Sequence, residues 1–168
     1  MKTMSIYVGT YAKYNDGSLF GKWMDLSDYS DKHDFYEACA ELHKDEEDPE
    51  LMFQDWENIP DRFIGESWIS EKVWDIINAD IQNWDAFEVF MDFYSGNDEE
   101  ISDLVSKFDD RYQGEWDSEE DFAEQLFDEC YAHDIPENLR YYIDYEKFAR
   151  DLFMGDYYYE NGFVFSNY

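Results

Sequence analysis

Positive charge is what this sequence lacks most. Lys and Arg together number 12, against 43 Asp and Glu, and the formal net charge is −31. A nucleic-acid binder neutralises phosphates with a basic footprint, so that class is excluded, and an anionic membrane surface repels such a chain. Long apolar runs are also missing: none approaches the ~18 residues that a membrane-spanning helix needs. The opening Met1-Lys2-Thr3-Met4-Ser5-Ile6-Tyr7 has no apolar stretch of signal-peptide length, so the expected compartment is the cytoplasm. Cysteine is limited to Cys39 and Cys130, far apart and each in a helical pattern. Two reduced, half-buried thiols are expected. A nucleophilic thiol needs an electropositive setting, which this chain does not provide.

The common catalytic signatures are absent too. There is no phosphate-cradling G-x-x-x-x-G-K-[ST], no G-x-G-x-x-G, no G-x-S-x-G and no H-E-x-x-H. His33, His43 and His133 show no paired metal-ligand spacing and read as solvated. The acidic clusters do not fit the calcium-loop pattern of an EF-hand. The expectation is therefore no catalytic residues, no cofactor and no dedicated metal site. Carboxylate pairs capable of acid–base chemistry are too numerous here for any one to be informative.

What the chain does have is aromatic bulk. Phe, Tyr and Trp number 14, 15 and 6, and 44% of residues are hydrophobic. Acidic disordered tails are poor in aromatics, so this chain is expected to fold against its own repulsion. The charge is spread unevenly at one end only. Lys2, Lys13 and Lys22 balance Asp16, Asp25 and Asp28 within residues 1–30. Residues 31–66 and 67–110 each carry a net −10, and residues 111–168 carry −11.

The periodicity predicts an α+β chain. Residues 5–11 and 19–26 read as strands of a hairpin around Asn15-Asp16-Gly17, and a helix capped by Ser30 follows over 31–43. Leu51 to Trp56 reads as a third strand, and Pro60 marks a boundary. Three short helices are expected from 70 to 108, the first capped by Ser70, the second ending at Ser95-Gly96, the third capped by Asn97. After a strand at 111–116 come helices opened by Ser118, Pro136 and Asp144. The chain closes on an aromatic hairpin around Asn161-Gly162, a strong type I′ turn signal. The resulting expectation is a three-part chain, with small antiparallel sheets and helices at both ends and a central helical bundle. Its parts are residues 1–61, 62–108 and 109–168.

The candidate functional residues are the acidic clusters: Asp45, Glu46, Glu47 and Asp48; Asp98, Glu99, Glu100 and Asp103; Asp109 and Asp110; Glu119, Glu120 and Asp121. Any single cluster is explained as a solvated face or a helix first turn. The total is not, because solubility of a small domain needs a net charge of only about 2 to 8. An acidic cation-binding or halophilic domain is one reading. The other is imitation of a nucleic acid. B-DNA carries one negative charge per ~1.7 Å of axis, so the charge of −31 matches roughly 50 Å of duplex, or about 15 base pairs.

Two segments carry a family resemblance. One is Tyr7-Val8-Gly9-Thr10-Tyr11-Ala12-Lys13-Tyr14-Asn15-Asp16-Gly17-Ser18-Leu19 with Gly21-Lys22-Trp23. The other is Pro136-Glu137-Asn138-Leu139-Arg140-Tyr141-Tyr142-Ile143-Asp144-Tyr145, continuing through Phe148-Ala149-Arg150-Asp151-Leu152. Both resemble ArdA antirestriction proteins, as do the length, the acidity and the closing hairpin. The resemblance implies an elongated, non-enzymatic mimic of bent B-form DNA, carried on mobile genetic elements. Such a protein occupies the DNA site of type I restriction-modification enzymes, and it binds no nucleic acid itself. The resemblance also implies a homodimer formed through the C-terminal part, with Tyr141, Tyr142, Ile143, Tyr145, Phe148 and Leu152 in the antirestriction and dimer segment. An equal alternative is that the apolar members of this segment are domain core.

Overall fold

The computed structural model describes residues 2–94 and 99–168. Its architecture is α+β: helices combine with small, wholly antiparallel sheets. The described residues fall into two compact units, 2–84 with 99–103, and 85–94 with 104–168.

In the first unit, strand β1 (Ser5–Thr10) lies between β2 (Lys22–Asp25) and β3 (Leu51–Glu57). Alternation along β1 turns Ile6 and Val8 fully inward, as a half-buried strand requires. Helix α2 (Lys32–Leu42) covers that face with Phe35 and Cys39, and Phe35 meets Phe53 of β3 at 6.0 Å between ring centroids. Asp31 caps α2, one residue later than expected: its side chain accepts from Asp34 N at 2.8 Å. Asp34 in turn accepts from the Ser30 N–H at 3.0 Å, so the expected cap residue serves as the outer partner. The β1–β2 connection is longer than a tight hairpin because α1 (Tyr11–Asn15) intervenes, with the turn completed at Gly17 where φ is +77°. Two-residue strands β4 (Ile64–Gly65) and β5 (Trp68–Ile69) pair beyond Pro60. Helix α3 (Lys72–Asn78) docks through Trp74, whose ring lies 5.9 Å from Phe35 and whose indole N–H donates to Tyr29 O at 3.1 Å. Glu71, not the expected Ser70, stands at the N-cap of α3 and its side chain caps nothing, although Ser70 Oγ accepts from Lys72 N at 3.2 Å.

In the second unit the sheet order is β6 (Tyr112–Glu115), β8 (Phe163–Ser166), β7 (Tyr157–Glu160). Asn161 and Gly162, at φ +52° and +89°, form the two-residue turn joining β7 to β8. Side chains alternate across this sheet. Tyr158 and Phe165 face helix α4 (Trp84–Tyr94), with Phe93 stacked on Tyr158 at 3.8 Å and Phe90 at 5.6 Å from Phe165. Tyr157 and Tyr159 face the other side, where Tyr157 meets Phe122 of α6 (Glu119–Cys130) and Tyr159 meets Phe153 of α8 (Tyr145–Phe153). Helix α5 (Ile101–Arg111) adds Phe108 to the Phe165 cluster. A short helix α7 (Glu137–Arg140) precedes α8. Ser118 and Asp144 cap α6 and α8 through Asp121 N and Lys147 N. The predicted stop at Ser95-Gly96 and cap at Asn97 lie outside the described residues. No helix among the described residues is long and apolar enough to cross a membrane.

Candidate acidic interaction surface

The acidic residues reach solvent because each element spends its apolar positions inward. On α5, Ile101, Leu104 and Phe108 are buried while Asp103, Asp109 and Asp110 are exposed. On α6, Phe122, Ala123 and Phe127 are buried while Glu119, Glu120 and Asp121 stand exposed in the first turn. Carboxylates there complement the positive end of the helix dipole. Glu100 is exposed and Glu99 half-buried, with Glu99 O accepting from Lys72 Nζ at 2.7 Å. Asp98 lies outside the described residues.

Several basic residues are committed to nearby carboxylates. Lys44 pairs with Glu41 and Lys147 with Asp144, the second at 2.8 Å. The Lys147 contact holds the Asp144 carboxyl below its ordinary range. Such exposed pairs add little stability, about 0–1 kcal/mol, but they leave the unpaired carboxylates to dominate the surface potential.

The Asp45–Asp48 loop behaves differently from the other clusters. Thr10 caps α1 by accepting from Lys13 N at 3.2 Å, which fixes Lys13 at the mouth of the first unit's sheet. The Lys13 ammonium then lies 2.8 Å from Asp45 Oδ1, 2.9 Å from Glu46 Oε1 and 3.0 Å from His43 Nδ1. Thr10 Oγ1 donates to the same Glu46 oxygen at 2.7 Å. Hydrogen bonds from Lys13 draw Asp45 down, and those from Lys13 and Thr10 draw Glu46 down, below the ordinary carboxylate range. Burial alone would lower Lys13, but hydrogen bonding and charge from the two acids outweigh it and raise it. The single Lys13 charge thus offsets half of the charge of Asp45 and Glu46, while Glu47 and Asp48 are exposed.

Two sequence expectations need correcting here. His43 is not solvated but fully buried, with Nε2 donating to Val8 O at 3.3 Å, and the ring of Phe20 beside it. The thiols are not a half-buried pair. Cys39 is buried, and burial pushes it up to about 12, whereas Cys130 is exposed. Neither feature had a local signal: His43 and Lys13 are 30 residues apart and meet only through the β1–α2 packing.

The C-terminal segment divides in two. Tyr145 and Phe148 of α8 pack on Phe127 of α6, each at 5.6 Å, and Phe148 also meets Tyr131 at 6.0 Å. Ile143 and Leu152 are half-buried. Tyr141 and Tyr142 instead stand 90% and 78% exposed, where core residues of a lone unit would not be. Beside α6, a cleft of about 720 Å³ is lined by Glu115, Trp116, Asp117, Asp121, Tyr159 and Gly162. It presents carboxylates and aromatic rings together.

This acidic, aromatic-cored chain matches the family model of the antirestriction protein ArdA over residues 6–165. The chain belongs to the ArdA family. The match runs from the start of β1 almost to the end of β8, so it takes in nearly all of both compact units. The family's description assigns antirestriction, not a catalysed reaction. A search of curated proteins gives no match.

Proposed function

We propose that this protein inhibits type I restriction-modification enzymes by occupying their DNA-binding groove as a mimic of B-form DNA. Membership of the antirestriction family supports the coarse function. The observation that carries the finer reading is the exposure of the carboxylates of α5, the α6 first turn and Glu47-Asp48. A basic groove meets them as it meets phosphates, with the same steering and the same salt sensitivity. In this reading Asp98, Glu99, Glu100, Asp103, Asp109, Asp110, Glu119, Glu120 and Asp121 carry most of the imitation. Asp45 and Glu46 contribute less than Glu47 and Asp48, because Lys13 already answers them. Tyr141 and Tyr142 form the contact of a homodimer, which doubles the imitated length. The protein acts non-enzymatically and without a cofactor in the cytoplasm.

The test is competition with a DNA duplex for a type I methyltransferase core, measured across ionic strength. Displacement of DNA at low salt is expected, weakening steeply as salt rises. No displacement at low salt refutes the mimicry. Single Asp→Asn changes on α5 or α6 are expected to have small effects, because the potential is shared. Abolition by one of them argues for a discrete site instead.

A further inference from the structure

The Lys13 cluster has a geometry that the antirestriction reading does not use. Three ligand-capable atoms, one each from His43, Asp45 and Glu46, lie within 4.8 Å of one another. All three are already gathered around a positive charge, the Lys13 ammonium, at 2.8–3.0 Å. An ammonium only donates, so the His43 Nδ1 lone pair must point at it, and the ring proton must sit on Nε2, bonded to Val8 O. That is the arrangement of a metal-ligating histidine: one nitrogen aimed at the cation, the other anchored on a backbone carbonyl. Thr10 holds the Glu46 oxygen in the same outer-shell manner. His43 is fully buried, so this is not a surface cluster of acids alone.

We infer that His43, Asp45 and Glu46 form a site for a divalent transition-metal ion of the zinc class, with the Lys13 ammonium as its resident competitor. Imidazole and carboxylate donors suit that class, at about 2.0–2.2 Å from the metal. The contacts must therefore close by about 0.8 Å from the ammonium geometry. Asp45 and Glu46 lie in the loop after α2, with Asp45 exposed, and move toward the fixed imidazole. Lys13, on the five-residue α1 and 15% exposed at its side chain, swings out to solvent. A fourth position remains open to water.

The experiment is calorimetric titration with Zn²⁺ at neutral pH, in excess Mg²⁺ to saturate diffuse carboxylate binding, alongside NMR of the three histidines. Wild type is expected to bind one Zn²⁺ with a selective shift of the His43 imidazole. Lys13→Met, which keeps the aliphatic stem and removes the competitor, is expected to bind about tenfold tighter or more. Asp45→Asn, an exposed change that leaves the fold intact, is expected to bind about tenfold or more weaker. Equal affinity for all three proteins, or Zn²⁺ binding without a His43 shift, overturns the site.

Discussion

Replacing Lys13 by methionine tests the electrostatic account of the first unit directly. The substitution keeps most of the aliphatic stem and deletes the charge, its donors and the ammonium's contact with Phe20, 4.9 Å from Nζ to the ring centroid. Three acceptors lose a partner: Asp45, Glu46 and His43. Asp45 is well exposed and regains water, so its share is small. Glu46 is only 19% exposed at its side chain and His43 is buried, so each leaves an acceptor that water reaches poorly. At about 1 kcal/mol for each of these two losses, the total is about 2 kcal/mol at neutral pH. The pH dependence gives a sharper signature. Asp45 and Glu46 are depressed in the folded state, so their contribution is present above the unfolded carboxylate pKa and is lost as pH falls through the folded values. Lys13 is raised, so its contribution is complete below the unfolded lysine pKa and is lost as pH rises through the folded value. The stability difference between wild type and Lys13→Met should therefore form a plateau from about pH 5 to 10 and shrink on both flanks. Repulsion across the whole chain runs the other way in acid, since protonating carboxylates relieves it, and taking the difference cancels that background. Urea denaturation of both proteins at several pH values measures this. A difference below about 0.5 kcal/mol at pH 7, or one independent of pH, refutes the reasoning.

Two further outcomes follow from packing. Phe165→Ala removes the ring shared by Phe90, Phe108, Tyr112 and Tyr158, and should cost the second unit about 3–5 kcal/mol in denaturant unfolding; a cost under 1 kcal/mol means that this cluster is not the unit's core. In native protein a thiol reagent should label Cys130 quickly and Cys39 only on unfolding, since Cys39 is buried and raised to about 12; equal labelling rates contradict the burial.

Much of the fold was legible locally. The alternation of Ile6 and Val8, the caps at Ser118 and Asp144 and the Asn161-Gly162 turn are short-range signals, and each formed as its chemistry requires. The helix at 32–42 began one residue later than expected because an Asp outcompeted the adjacent Ser for its first-turn amide. β4 and β5 had no readable pattern, since two residues do not make a period. In the C-terminal segment, helical spacing put Tyr145 and Phe148 on one face. It said nothing of whether that face met α6 or another molecule. In the structure that face packs on Phe127 of α6, and Tyr141 and Tyr142 stand exposed.

The sequence alone determined the net charge, its cancellation within residues 1–30, most of the succession of elements and the family resemblance. These are sums over residues or short-range patterns, which folding does not alter. Tertiary structure decided which carboxylates remain available. Coulomb attraction depends on separation and burial, and only folding brings Lys13 within 3 Å of Asp45 and Glu46, more than thirty residues away. The same loop that the sequence marks as one acidic cluster is, in three dimensions, one pair half offset by Lys13 beside a buried histidine and one pair exposed to solvent.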